Sequence, residues 1–222
     1  MSMSATEAIT SRRSIRAFTE KPVPEGLLRA ILTDAARAPS GTNIQPWQVV
    51  VLQGDAKNDL VDAVQAAFDS GNSSTDDAYY PAEFVEPYLA RRRKIGWDMY
   101  GLVGIQKGEY DKMAAQARKN FQFFDAPVGM IFTLHESMSY GGWMDLGLYM
   151  SNVMTLAREH GLHTCPQAAW REFEDVIHQH LELPADQRMI VGMAMGYEDT
   201  DHVINELRTT RAPLDDYVDF RE

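Results

Sequence analysis

Apolar positions recur along the chain with two different periods, and the switches between them mark out its elements. From Pro24 to Ala38, Leu27, Leu28, Ile31, Leu32 and Ala35 fall at three- and four-residue spacing, which predicts an amphipathic helix with Pro24 in its first turn and Pro39 as its stop. Trp47 to Leu52 is rich in β-branched residues and predicts a strand closed by Gly54, and Ala56 to Phe68 returns to helical spacing. Ser70 to Asp77 is polar and built of turn formers, so it reads as a loop. Val128 to Leu134 and Arg188 to Met195 are near-continuous apolar runs, as in inner strands covered on both faces. Between them, Met144 to Ala157 carries apolar residues on more than one side, which predicts a helix buried all round, and Glu172 to Leu183 predicts another helix. Pro81 to Phe124 reads as several helical pieces inserted between strands. They carry the basic run Arg91-Arg92-Arg93-Lys94 and, with the residues just before, the aromatics Tyr79, Tyr80, Phe84, Tyr88, Trp97 and Tyr100. Asp201 to Glu222 is a tail of little periodicity with apolar points at Val203, Ile204, Leu207, Leu214, Tyr217, Val218 and Phe220. The order of elements predicts a mixed sheet with helices on both faces, a pattern compatible with many folds.

Bulk properties narrow the partners. At 222 residues the default is one domain, residues 1–222, with about 70–75% of the unfolded surface buried on folding. A net charge of −11 argues against nucleic acid as a partner, since phosphate neutralisation needs a basic surface, so the arginines matter locally. No apolar run of about 20 residues is present to span a membrane, and Met1 to Glu7 lacks the features of a signal peptide, which makes the expected location cytoplasmic. The lone Cys165 allows no internal disulfide framework.

Two stretches near the N-terminus carry the chemistry. Arg12-Arg13-Ser14-Ile15-Arg16 sets three guanidinium groups beside a hydroxyl, and Pro39-Ser40-Gly41-Thr42-Asn43-Ile44-Gln45-Pro46-Trp47 gathers backbone donors and two amide side chains in a loop that opens a strand. Arginine grips phosphate as a bidentate fork, and a glycine-containing loop lets N–H groups approach a ligand edge, so these parts suit a planar heterocycle carrying a phosphate. The arrangement resembles the N-terminal signature of the FMN-dependent nitroreductase family, and more narrowly its bacterial nitrobenzoate-type subgroup. The resemblance continues in order through Asp125-Ala126-Pro127-Val128, Asp145-Leu146-Gly147, Gly161 to Gln167, Gly192 to Tyr197 and Thr210-Arg211-Ala212-Pro213. It implies the nitroreductase-like three-layer α+β fold, an intertwined homodimer with flavin sites shared between protomers, a lid insertion at 70–120 and a tail at 201–222 packed on the partner.

It also implies noncovalent FMN, NADPH or NADH as electron donor, and reduction of nitroaromatic, quinone or enone acceptors by ping-pong transfer through the flavin. Arg12, Ser14 and Arg211 then correspond to phosphate and ribityl contacts, with Arg13 in the same signature, and Arg16 to the basic residue near the flavin N1. Pro39, Ser40, Gly41, Asn43 and Gln45 correspond to the loop touching ring and ribityl, and Pro166, Gln167 and Ala168 to backbone facing N5. Chemistry is expected on the flavin, with no catalytic side chain. Two departures stand out. Better-known members carry Pro-x-Glu-Gly where this chain has Pro166-Gln167-Ala168-Ala169, and Lys-x-Arg where it has Thr209-Thr210-Arg211, leaving Arg208 or Arg13 to compensate. Tyr79, Tyr88, Trp97 and Asn120 are candidates for the acceptor site, although the aromatics from Tyr79 to Tyr100 serve equally as a satellite core. Cys165 reads as a small buried thiol rather than a nucleophile, and the six histidines complete no metal-ligand spacing. The alternatives are other flavin chemistry on the same fold, such as dehalogenation or dehydrogenation, or flavin binding without turnover.

Overall fold

The computed structural model describes residues 3–73 and 79–222, so part of the expected loop, 74–77, lies outside the described residues. Four strands, β1 (Gln48–Gln53), β2 (Val128–His135), β3 (His163–Gln167) and β4 (Gln187–Gly196), pair antiparallel in the order β1-β2-β4-β3. Around them stand α1 (Ala5–Ser11), α2 (Glu25–Ala35), α3 (Gly54–Ser70), α4 (Tyr88–Leu102), α5 (Tyr110–Arg118), α6 (Tyr140–Glu159) and α7 (Glu174–Leu181). The sheet is mixed only through an isolated parallel bridge between Ser14 and Thr164; its four strands are antiparallel throughout.

Central strands explain the continuous apolar runs. Val128, Met130, Phe132 and Leu134 pack with Leu28 and Ile31 of α2 and Leu146, Met150 and Val153 of α6. The intervening Ile131 packs with Leu60 and Val64 of α3, Ile177 of α7 and Phe121, Phe123 and Trp170. Alternate residues of one strand thus serve opposite helical layers, which gives three layers.

On the second face the sheet is deliberately thin. Phe123 and Trp170 stack with centroids 4.1 Å apart and planes at 24°. A Cβ at Gly129 or Gly192 would fall well inside van der Waals contact with the Phe123 and Trp170 rings respectively. These glycines are there for the space they leave. A different glycine role appears at Gly71, whose φ of 71° closes α3 in the left-handed region.

Several expectations shift. α2 ends at Ala35, with Ala36 as its cap, before Pro39 is reached, and Pro24 is its N-cap rather than a first-turn residue. Gly54 opens α3 instead of merely closing β1. The short elements α1 and β3 were not anticipated by periodicity. α6 is not buried all round within one protomer: Leu146, Met150 and Val153 are buried, while Met144 and Leu148 are 68% and 45% exposed. Between residues 79 and 118 only Ile105 and Gln116 are buried among the described residues, so within one protomer the aromatics there touch one another without being buried.

Gly192→Ala should therefore lower stability in urea by about 1–3 kcal/mol, the usual cost of overpacking. Gly26→Ala, where an added Cβ meets nothing within 4 Å, should be neutral or stabilising by up to about 1 kcal/mol. Equal denaturation midpoints for the two variants would show that the Phe123–Trp170 stack does not depend on the gap.

Candidate functional site

α1 is held by a capping box: the Glu7 N–H donates to Ser4 Oγ at 3.2 Å, and the Ser4 N–H donates to Glu7 Oε2 at 3.0 Å. It ends at Arg12, where the backbone becomes extended and crosses to β3; there Ser14 bridges Thr164, and the Ile15 N–H donates to the Thr164 carbonyl at 3.2 Å. Arg12, Arg13, Ser14 and Arg16 line one cleft beside the sheet end, and Leu207, Thr209 and Arg211 of the tail come to meet them.

Arg12 and Arg211 line the same two clefts, of about 770 and 360 Å³. Burial lowers the pKa of Arg12, and the neighbouring charge of Arg211 lowers it further, as expected of two cations that line the same clefts. Arg211 Nη1 donates to Thr209 Oγ1 at 2.7 Å and to the Thr210 carbonyl at 3.0 Å; among the described residues no carboxylate ion-pairs with either arginine. Two crowded guanidiniums with unspent donors make a site for a dianion. Arg208 lines the larger cleft beside Thr209, so a cation stands one residue before the position where a lysine was expected.

Arg13 is placed differently from the expectation. Its Nη2 donates to both carboxylate oxygens of Glu198, at 2.8 and 2.9 Å, and its Nη1 to the Asn205 carbonyl. A guanidinium so engaged positions the tail, while Arg13 still lines both of the clefts that Arg12 and Arg211 line. Glu198 also lies 3.1 Å from His163 Nε2. Burial, reinforced by Arg158 and Arg13, pushes His163 down to about 4, and its Nδ1 is buried without a hydrogen-bond partner among the described residues. The attraction of Glu198 does not reverse this, because Arg13 already neutralises that carboxylate.

Arg16 connects the clefts. Its backbone N–H donates to Asn205 Oδ1 at 2.9 Å and its Nη1 to the Ser14 carbonyl at 3.2 Å; the side chain lines the 360 Å³ cleft and two others, of about 370 and 520 Å³. The last is walled by Pro166, Gln167, Ala168, Tyr79, Asn120 and Glu172. Gln167 is 2% exposed; its Nε2 donates to the Asn120 carbonyl at 2.7 Å, and its Oε1 has no partner among the described residues. Burial raises the carboxyl pKa of Glu172. Trp97 lines the 370 Å³ cleft, whereas Tyr88 is 59% exposed and lines none of these clefts, so it is not brought to the site in this protomer. Cys165 is buried and its thiol pKa is raised by burial, the reverse of what a nucleophile needs.

Pro39, Ser40, Gly41, Asn43 and Gln45 stand apart from the arginines and line none of these clefts. Their loop is braced on α6: the Gly41 N–H donates to both carboxylate oxygens of buried Asp145 at 3.2 Å, and the Gln45 N–H donates to Ser40 Oγ at 3.0 Å.

A series of clefts running from a guanidinium pair to a β3 edge, in a three-layer antiparallel fold, has close counterparts. The Nitroreductase family model matches residues 9–197. This chain belongs to the nitroreductase family. A 4-nitrobenzoate reductase of Nocardioides sp. (strain LMS-CY) is 36% identical over 96% of the chain and 87% of that relative. One from Pseudomonas putida is 35% identical over 96% and 93%. Among solved structures, the FMN and NADPH-dependent nitroreductase NfnB from Sphigopyxis sp. strain HMH superposes with a TM-score of 0.97 at 35% identity, covering 99% of this chain and 100% of that one. The FMN-dependent NfnB from Mycobacterium smegmatis, in complex with NADPH, gives 0.94 at 29% identity, covering 98% of each.

Sequence reasoning passed over Asn205, the residue that joins this family member's tail to its arginines. Asn205 Nδ2 donates to the carbonyls of Ala17 at 2.8 Å and Asp199 at 2.9 Å, while Oδ1 takes the Arg16 N–H. A buried asparagine inside a segment of little periodicity leaves no pattern to read. Glu198 and His163 likewise meet only through the fold.

The buried histidine has a pH consequence. Because its folded value of about 4 lies below the ordinary 6.5, the native state keeps His163 neutral where the unfolded chain is protonated. Its contribution is complete above about pH 6.5 and is lost as pH falls toward 4, by about 2 kcal/mol between pH 6.5 and 5. His163→Gln should lose that much less stability than the parent between those two pH values in paired urea titrations; identical losses would show that His163 is not buried in its neutral form.

Proposed function

We propose that the chain binds one FMN per protomer noncovalently and, with NADPH or NADH as reductant, reduces a small aromatic acceptor of the nitroaromatic, quinone or enone classes. The observation that carries this reading is that Arg12 and Arg211, without a carboxylate partner among the described residues, line the same clefts, at one end of a series that leads past Arg16 to Pro166, Gln167 and Ala168. The names of the relatives, FMN and NADPH-dependent nitroreductases and 4-nitrobenzoate reductases, support the same cofactors and acceptor class.

When bound, FMN supplies reversible two-electron chemistry at N5. Everything else falls to the chain. Arg12 and Arg211, helped by Ser14, hold the phosphate with charge-assisted hydrogen bonds, and Arg16 sets a positive charge beside the ring edge that gains electron density on reduction. Pro166, Gln167 and Ala168 offer backbone to the reacting edge, so no titrating side chain is required there. Asn120 is tied to that segment through Gln167. Residues 70–120 act as a lid, with Tyr79 and Trp97, which are 46% and 45% exposed, as stacking surfaces for an aromatic acceptor.

The working unit is a homodimer. Met144 and Leu148 of α6 and Leu214, Tyr217 and Phe220 of the tail are exposed apolar residues in one protomer, which suits a partner that covers them. The loop from Pro39 to Gln45 then serves the flavin of the other protomer. No helix among the described residues is long and apolar enough to cross a membrane, and the proposed location is the cytoplasm.

Purified protein should show a flavin spectrum, release FMN on heating, and bleach anaerobically with NADPH or NADH; release of FAD, or absence of bleaching, would overturn the reading. Arg211→Ala should weaken FMN about ten- to hundredfold, the worth of a charge-assisted contact. Unchanged affinity would remove the tail from the site. Reductant and acceptor share one cleft, so initial-rate plots should be parallel, and intersecting lines would show that both bind together.

A further inference from the structure

We infer that the inner side of α4 is an oxyanion subsite for the carboxylate of a benzoate-type acceptor; the inference rests on the flavin reading above. Arg92, Arg93 and Arg16 line one cleft of about 370 Å³ together with Ile95, Trp97 and Tyr100. The other cations of the basic run are spoken for: Arg91 lies 3.8 Å from Asp216, and Lys94 lies 2.5 Å from Asp98. Arg92 has only the face of Phe84, 4.9 Å from its guanidinium carbon, and Arg93 has no ion pair or side-chain hydrogen bond among the described residues. Arg16 spends one donor on the Ser14 carbonyl. No acidic side chain lines the cleft. Three like charges gathered without a counterion repel one another, and an anion placed among them relieves that cost.

The rest of the lining fits a flat ring. Trp97 and Tyr100 stand with ring centroids 5.9 Å apart and planes at 60°, giving apolar sides between which an aromatic body can lie. None of the fifteen residues of α4 is buried, so Arg92 and Arg93 stay within reach of a ligand. Arg16 also lines the cleft walled by Pro166 to Ala168, so a carboxylate held by Arg92 and Arg93 directs its ring toward the proposed reacting edge. The same oxyanion chemistry could come from a phosphate of the reductant. A single substituted ring matches a cleft of this size, whereas a dinucleotide would overflow it.

The test uses the oxidised holoprotein and two unreactive probes, benzoate and benzamide, titrated calorimetrically into the parent, Arg92→Gln, Arg93→Gln and the double variant. Benzoate should bind the parent at least about tenfold more tightly than benzamide, and the double variant should lose at least about tenfold of that preference. The preference in kcat/KM for 4-nitrobenzoate over 4-nitrobenzamide should fall in parallel. Equal binding of the two probes by the parent would overturn the proposal. So would a double variant whose KM rises for NADPH while its benzoate preference is intact, which gives the cleft to the reductant, or one that sediments as a different oligomer with that preference intact, which gives it to the partner protomer. Failure of the flavin reading is separate: it appears as a parent without bound flavin, or one that cannot reduce 4-nitrobenzamide.

Discussion

Trp170 and Phe123 lie face to face on the sheet, 4.1 Å apart, and the clefts depend on that contact because each ring belongs to a segment that walls the site. Phe123 sits in the turn that follows Asn120, and Trp170 follows Ala168 and Ala169. Both rings can approach the strands only because Gly129 and Gly192 carry no Cβ. The stack is extended by Phe121, edge-on to Trp170 at 5.8 Å and to Phe173 at 4.9 Å. Phe123 and Phe124 adopt positive φ angles of 51° and 52°, a conformation that costs about 1–3 kcal/mol per non-glycine residue and is held here by burial of both rings. Rigid aromatic packing thus does for the backbone near Gln167 what a side-chain hydrogen-bond network does elsewhere: it sets position without a titrating group.

The electrostatic design opposes the bulk charge. A chain of net charge −11 concentrates Arg12, Arg13, Arg158, Arg208 and Arg211 around one cleft and admits only Glu198 among them. Glu198 is placed where it neutralises Arg13 and leaves Arg12 and Arg211, which line the same cleft, without a carboxylate partner among the described residues. Had the carboxylate bridged that pair, the site would be a closed salt bridge and an incoming phosphate would have to break it. His163, kept neutral by burial, adds no charge to the cluster. Asn205 completes the division of labour: its side chain ties the tail to the backbone of Arg16, Ala17 and Asp199, and its carbonyl accepts from Arg13 and Arg208, while neither Arg12 nor Arg211 is drawn into that network.

Elements whose apolar period is long and strong were legible in the sequence. β2 and β4 announced themselves as continuous apolar runs because each serves two helical layers, and α2 and α3 as one-sided helices because each serves one. α1 and β3 were not, being 7 and 5 residues long, too short for a period to emerge. α6 was legible as apolar on more than one side, but a sequence shows how much apolar surface a helix has, and not whether its own chain or another covers it. At the site, the arginine run and Arg211 could be placed by motif, but Arg13 could not be told from Arg12, since only the fold puts Glu198 beside one and Arg211 beside the other. Nor could the sequence tell that, within one protomer, Tyr88 on α4 has its ring beside Arg91.

The loop from Pro39 to Gln45 is where the geometry of one protomer asks for more. Thr42, Asn43 and Gln45 take positive φ angles of 48°, 61° and 47°, none of them glycine. Buried Asp145 accepts the Gly41 N–H with both oxygens to hold that loop, and Ser40 Oγ accepts the Gln45 N–H. Conformational strain of this kind persists only where surroundings over-determine it, and it collects at functional sites. Yet the braced loop meets none of the arginine-lined clefts of its own chain, and Ile44 beside it is 49% exposed. The same helix that braces the loop presents Met144 and Leu148 outward. In the proposed homodimer these observations have one cause: α6 meets the partner through its uncovered apolar side and carries the strained loop with it, so the rigidity of Asp145 is spent on the partner's flavin, not on its own.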